Sequence, residues 1–296
     1  MKSRPAEPIS HTVSVEWLHA HLGAGNVVVV DATCRNVIAS DGLHSPVSGY
    51  EPFLREHISG AVFADLLGAF SAPNAERAWT VCTSERFAEA AGALGIGEGA
   101  QVVVYDQHEG FWATRFWWHL RFEGFTEVSV LDGGLKAWKA AELPITAEAT
   151  TPTPRRFVPN RRPELIRSTD EMVAALDDAS TVLVDVMDEA TYRGDSPTFV
   201  RRGHIPGSIN VPVDQIRSPE TGRLRPVEDL RRAFAAAGLL DPSKTMVTYC
   251  GGGIAATAVA HALALVGRCD VAIYAGSMRA WSADPNLPLV KGDSPR

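Results

Sequence analysis

Four short stretches recur in the second half of this 296-residue chain in the order they hold in the first, and that constrains the fold more than any single motif. Val29-Val30-Asp31 is answered by Leu183-Val184-Asp185, and His57-Ile58-Ser59-Gly60-Ala61-Val62 by His204-Ile205-Pro206-Gly207-Ser208-Ile209. Val103-Val104-Tyr105-Asp106 returns as Val247-Thr248-Tyr249-Cys250, and Gly133-Gly134 ahead of Trp138 as Gly276-Ser277 ahead of Trp281. A duplicated chain folds as two similar units, which suits this length at roughly 150 residues per domain. Residues 147–163 hold Pro152, Pro154, Pro159 and Pro163 among Thr and Arg, the composition of an extended connector. The expected organisation is a flexible tail over 1–11, a first unit over 12–146, the connector over 147–163 and a second unit over 164–291.

Within each unit, β-branched runs alternate with helical stretches. Residues 26–31, 101–105 and 181–185 read as strands, and 84–94 and 226–237 as helices. Near-continuous Val/Leu strands separated by helices make a small parallel sheet covered on both faces, so the fold class is α/β, in two tandem domains. With 45% apolar and 21% charged residues, the chain has the composition of a folded protein. Its 28 basic against 35 acidic residues give a net charge of −7, which argues against nucleic acid as a partner. The longest weakly polar run, 254–267, contains Thr257 and His261 and falls short of the roughly 20 residues of a membrane-spanning helix, so no membrane partner is expected. Residues 1–10 carry Lys2 and Arg4 but then Pro5, Glu7 and Pro8 in place of an apolar signal core, and the expected location is cytoplasmic.

Four cysteines, Cys34, Cys82, Cys250 and Cys269, are too few and too scattered for a disulfide scaffold, and their spacing gives no metal site. A reducing compartment fits, and chemistry would rest on one thiol. In open α/β sheets the functional crevice lies beyond the carboxyl ends of the strands. Cys250 ends the strand 245–249 there, and Gly251, Gly252, Gly253, Ile254 and Ala255 lead into an Ala-rich helix over 256–266. Glycines let a backbone curl tightly enough for several N–H groups to converge on one anion, and the helix N-terminus adds positive character. Both effects favour thiolate, and cysteine pKa values at such sites drop from about 8.5 to below 7.5. Cys250 is therefore read as a nucleophile rather than an inert strand-end thiol. Cys34, Cys82 and Cys269 lack a following loop of bare amides and are read as inert. A phosphate-ester hydrolase would need an arginine closing the loop to pair with phosphate, and Ala256 stands there. The absence of Gly-Lys-Ser and Gly-Lys-Thr excludes a nucleotide P-loop.

Over residues 12–290 the sequence resembles the two-domain rhodanese-type sulfurtransferases, the family of thiosulfate and 3-mercaptopyruvate sulfurtransferases. The resemblance is carried by the Val-Asp of each first strand, by 55–61 (REHISGA), 203–210 (GHIPGSIN) and 131–134 (LDGG), and by 249–256 (YCGGGIAA). It implies that the second domain is catalytic and that Cys250 carries sulfur as a persulfide. The first-domain counterpart is Asp106, which cannot carry sulfane sulfur, so the first domain is implied to be the inactive copy. A small-molecule donor, a thiol, cyanide or protein acceptor, and no metal or organic cofactor are also implied. The Cys-Gly-Gly-Gly loop lacks the basic residues associated with thiosulfate and the Ser or Thr associated with mercaptopyruvate, and Ala255 replaces the customary Thr, so both donors stay open.

The family's substrate-binding arginine falls at Thr191, which leaves Arg193, Arg201 and Arg202 as candidates for the substrate anion or as ordinary surface arginines. His57 and His204, each ahead of a turn, are read as structural, and Asp31 and Asp185 as holding loops through backbone N–H groups. Phe111, Trp112, Phe116, Trp117 and Trp118 form an aromatic cluster read as core or interdomain packing. Two other functions stay open: a sulfur-relay partner with little turnover on small donors, and a thiol redox sensor, for which no resolving cysteine lies near in sequence.

Overall fold

The chain is described by a computed structural model covering residues 10–38, 44–75 and 77–295; residues 1–9 of the expected tail lie outside it. It divides into two compact units, Met1–Arg162 and Pro163–Arg296.

The first unit runs β1 (Thr12–Val13), α1 (Val15–His21), β2 (Val27–Asp31), β3 (Cys34–Ile38), β4 (His44–Ser48), α2 (Tyr50–Arg55), β5 (His57–Ile58), β6 (Val62–Phe63), α3 (Ser84–Ala93), β7 (Gln101–Tyr105), α4 (Phe111–Phe122), β8 (Val128–Leu131), α5 (Gly134–Ala140) and β9 (Ile145–Thr146). Five of these strands form a wholly parallel sheet in the order β1-β8-β7-β2-β6. The Val-rich centre of β2 and β7 is buried, as strands covered on both faces require. Ser14 and Thr83 fix the starts of α1 and α3 by accepting from backbone N–H groups inside the first turn. α4 is apolar nearly all round and almost wholly buried, with Arg115 stacked on Trp118 and Arg121 on Trp117. The aromatic cluster read from the sequence is thus part of this unit's own core.

The second unit runs β10 (Ile166–Arg167), α6 (Thr169–Ala175), β11 (Thr181–Asp185), α7 (Glu189–Arg193), β12 (Ile209–Asn210), α8 (Val227–Ala236), β13 (Thr245–Tyr249), α9 (Ala256–Leu265), β14 (Ala272–Tyr274) and α10 (Ser277–Ala283). Its sheet order, β10-β14-β13-β11-β12, is the first unit's order strand for strand, again wholly parallel. The registers match as well: Asp31 pairs with Tyr105 and Asp185 with Tyr249. So do the core hydrogen bonds. The Tyr105 and Tyr249 hydroxyls accept from the N–H of Ile58 and Ile205, and the Trp138 and Trp281 indoles donate to the carbonyls of Pro144 and Pro288.

The proline-rich strap lies along the first unit. Arg155 donates its N–H to Gly92 O, Glu98 to Arg156 O, Asn160 to Glu123 O and Arg162 to Phe122 O. Gly92 and Gly97 permit this approach, since a Cβ at either would sit 2.6 or 2.4 Å from a strap carbonyl oxygen. Arg161 pairs with the buried Glu123 and closes the seam. Among the described residues no helix is long and apolar enough to cross a membrane.

Candidate active site

Cys250 stands at the carboxyl end of β13, between β14 and β11 in the centre of the second sheet. It is 2% exposed and lies below a rim of half-buried residues, Gly251, Gly252, Ile254 and Ala255. The Gly253 N–H points at its sulfur, with N to Sγ 3.1 Å. Gly253 has φ +81°, and a Cβ there would meet Ala275 O at 2.9 Å, so only glycine turns that amide inward while packing on β14's exit. The loop carbonyls face the other way and are tied down: Cys250 O accepts from Met278 N and Gly251 O from Arg279 N, both 2.9 Å. Ser277, buried and held at φ +50°, accepts from Cys250 N at 3.1 Å and donates to Tyr274 O at 2.7 Å. Cys250 is thus fixed through its N–H, its carbonyl and its sulfur.

The first unit shows what such a loop does around an anion. Asp106 occupies the Cys250 place at the end of β7, and its carboxylate accepts four backbone N–H groups. His108 and Gly110 donate to Oδ1 at 2.9 Å each, and Trp112 and Ala113 donate to Oδ2 at 3.1 and 3.0 Å. Gly110, at φ +83°, matches Gly253, and both aim an amide at the strand-end side chain. Three residues separate Asp106 from Gly110 but only two separate Cys250 from Gly253. The helices then run in step: the Thr114 hydroxyl donates to Phe111 O and the Thr257 hydroxyl to Ile254 O. In this register Trp112 and Ala113 match Ala255 and Ala256. A persulfide extends cysteine by one atom and so reaches as far from the backbone as an aspartate oxygen. The Asp106 oxygens thus lie one atom farther from the backbone than the Cys250 sulfur does.

Of the three arginines singled out in the sequence, Arg201 donates its guanidinium to the carbonyls of Asp284 and Leu287, a structural brace. Arg193 pairs with Asp195 and Asp293, and it lines a cavity of about 560 Å³ with Glu189, Tyr192, Asn210 and Gln215; neither Cys250 nor its loop lines that cavity. Arg202 is exposed, with its backbone against Gly194. Thr191 is buried and bonded through its N–H and hydroxyl to Asp188, the cap of α7. Beside Gly251 lie Phe199 and Met187, 3.5 and 3.9 Å from where its Cβ would be, so that wall is apolar.

The remaining polar residues have structural partners. His57 is stacked on Phe53 and bonded to the carbonyls of Phe53 and Glu148. His204 is stacked on Tyr192 and bonded to its carbonyl, and burial lowers its pKa. Asp31 holds Thr33 and Gln107, and Asp185 holds the Met187 N–H. Burial raises both carboxyls, Asp185 to about 7. Cys34 is buried near Asp31, Asp65 and Asp106, and burial followed by those charges pushes its thiol far up. Cys269 is exposed. Sequence reasoning missed Ser277 and Arg279; the Gly-Ser replacement of Gly133-Gly134 was the available signal for Ser277.

Two copies of a five-stranded parallel α/β domain, one of them ending its central strand in a cysteine whose sulfur accepts from a loop amide, define a class of thiol-bearing tandem proteins. The chain belongs to the rhodanese family: the rhodanese-like domain matches residues 14–141 and 168–284. It is 32% identical over 314 residues to thiosulfate/3-mercaptopyruvate sulfurtransferase 1, mitochondrial, of Arabidopsis thaliana, covering 98% of this chain and 79% of that protein. It is 35% identical over 234 residues to human 3-mercaptopyruvate sulfurtransferase, covering 77% and 78% of the two chains. The Escherichia coli 3-mercaptopyruvate sulfotransferase structure aligns over 91% of this chain and 99% of its own, with TM-score 0.77 and 28% identity.

Proposed function

We propose that the chain is a sulfurtransferase that moves a sulfane sulfur from thiosulfate or 3-mercaptopyruvate to a thiol, cyanide or protein acceptor through a persulfide on Cys250. The observation that carries this reading is the pair of matched loops: four amides converge on Asp106, and the equivalent loop encloses Cys250. The Cys250 thiolate attacks the outer sulfur of thiosulfate, a new S–S bond forms, and sulfite leaves with the electron pair of the old one. With 3-mercaptopyruvate the carbon–sulfur bond breaks and pyruvate leaves as its enolate, which then takes a proton. The outer sulfur of the persulfide carries negative charge among the N–H groups of Gly253, Ala255 and Ala256, fixed before reaction by the loop. An acceptor takes that sulfur and returns the thiolate.

Relatives named for small donors favour turnover over a pure relay role. Four free thiols fit a reducing compartment, read here as the cytosol. The test is intact mass after incubation with each donor. Wild type gains one sulfur, reversed by cyanide, and Cys250→Ser gains none. An equal adduct on the Ser variant, or none on wild type with any donor, overturns the assignment.

A further inference from the structure

We infer that Thr248, two residues before Cys250, is a positioning residue that holds the start of α9 in place for the sulfur carried on that cysteine. The inference deepens the sulfurtransferase reading and rests on it. Thr248 lies in the middle of the second sheet, in register with Val184 on β11 and Ile273 on β14. The same row of the first sheet is Val30, Val104 and Val130. All of these residues are buried, and all but Thr248 are β-branched aliphatics. Threonine has the shape of the valine that the first unit carries at this place, so the hydroxyl is what sets Thr248 apart.

A hydroxyl buried in such a row costs free energy unless it is hydrogen-bonded. This one donates to Ala256 O at 3.1 Å, in the first turn of α9. The bond ties the strand before the loop to the helix after it. In the first unit the Asp106 carboxylate makes that tie, accepting at 3.0 Å from the N–H of Ala113, the counterpart of Ala256. Val104 there has no hydroxyl, and with a carboxylate built into the loop none is needed. The second loop takes a sulfur that is loaded and removed in each cycle, so its occupant is no permanent anchor. Thr248 supplies the anchor from the strand. It takes the carbonyl of Ala256 and leaves the N–H of that residue for the outer sulfur. Donors fixed before charge develops stabilise a transition state without having to reorganise.

The decisive experiment measures sulfur transfer to cyanide from thiosulfate and from 3-mercaptopyruvate, together with hydrogen exchange over residues 251–258. Thr248→Val carries the first unit's own residue and keeps the shape of the row, whereas Thr248→Ser keeps the hydroxyl. In Thr248→Val kcat falls about tenfold for both donors with KM within about twofold, because the lost contact acts on the transition state and not on donor binding. Thr248→Ser, which still donates, stays within about threefold of wild type in kcat. Exchange over 251–258 speeds up about tenfold in Thr248→Val and stays near wild type in Thr248→Ser. Unchanged kcat or unchanged exchange in Thr248→Val, or an equal fall in both variants, overturns the inference. If exchange rises in Thr248→Val while no donor loads sulfur on wild type, the positioning role stands and the sulfurtransferase reading fails.

Discussion

Ser277 carries a side chain where its backbone conformation favours none. At φ +50° a non-glycine residue costs about 1–2 kcal/mol, and the first unit uses Gly134 at φ +56° in the same place. A Cβ on Gly134 would meet Asp106 O at 2.5 Å, so the first unit has no room for the serine. In the second unit the hydroxyl holds the buried N–H of Cys250, a bond worth about 1 kcal/mol that offsets the strain. Ser277→Gly removes strain and bond together and is expected to be near neutral, whereas Ser277→Ala keeps the strain and loses the bond. The alanine variant should therefore be the less stable by about 1 kcal/mol or more, read from urea midpoints on α10 peptides by hydrogen exchange. Equal midpoints for the two variants would show that the backbone there stores no strain. Cys34 gives a second residue-scale expectation. With its thiol pushed far up by burial and three neighbouring carboxylates, it should resist iodoacetamide at pH 8 in the folded protein and react only on unfolding.

At the scale of the element, the loop between a central strand and its following helix is one device used twice. In the first unit its occupant is built in: the Asp106 carboxylate satisfies four N–H groups at the start of α4. Asp106→Ala leaves those buried donors without their acceptor and should destabilise the first unit by about 3 kcal/mol or more, while Asp106→Asn, which keeps one oxygen, loses less. Hydrogen exchange across α4 separates the two, and indistinguishable variants would mean that the amides do not depend on the carboxylate. Much of this element was legible in the sequence, because five-residue strands rich in β-branched residues, three successive glycines and an Ala-rich run each leave a local pattern. The shorter loop of the second unit is legible too, in the changed spacing between Cys250 and the Gly-Ser turn. The edge strands β1, β5, β6, β9, β10 and β12 were not, since two residues show no periodicity. The Arg201 brace leaves no local pattern for a related reason: its partners, Asp284 and Leu287, lie more than 80 residues away and meet it only once the sheet forms.

For the whole molecule, the repeat places a buried carboxyl at the end of β2 and of β11, and both carry a free-energy cost when ionised. Burial raises Asp31, and it raises Asp185 from 3.8 to about 7 against the bonds from Met187 and Tyr249. A folded-state pKa above the unfolded one means that the folded protein binds more protons between those values. The contribution of Asp185 is therefore fully present below about pH 4 and is lost as pH rises to about 7. His11, His119 and His204 are all lowered, burial being the leading cause, with His11 falling to about 4. They act in the opposite sense, adding stability as pH rises towards 6.5, so the total profile does not isolate the carboxyl. The difference between Asp185→Asn and wild type does. The asparagine oxygen still accepts from Met187 N but never ionises, so the variant should gain on wild type by on the order of 3 kcal/mol between pH 4 and pH 7.5, with no further change above. Hydrogen exchange of β11 and β13 peptides at stepped pH reads that gap in the second unit alone. A gap that stays constant with pH would mean that Asp185 is ionised at no cost and that the strand end is open to water.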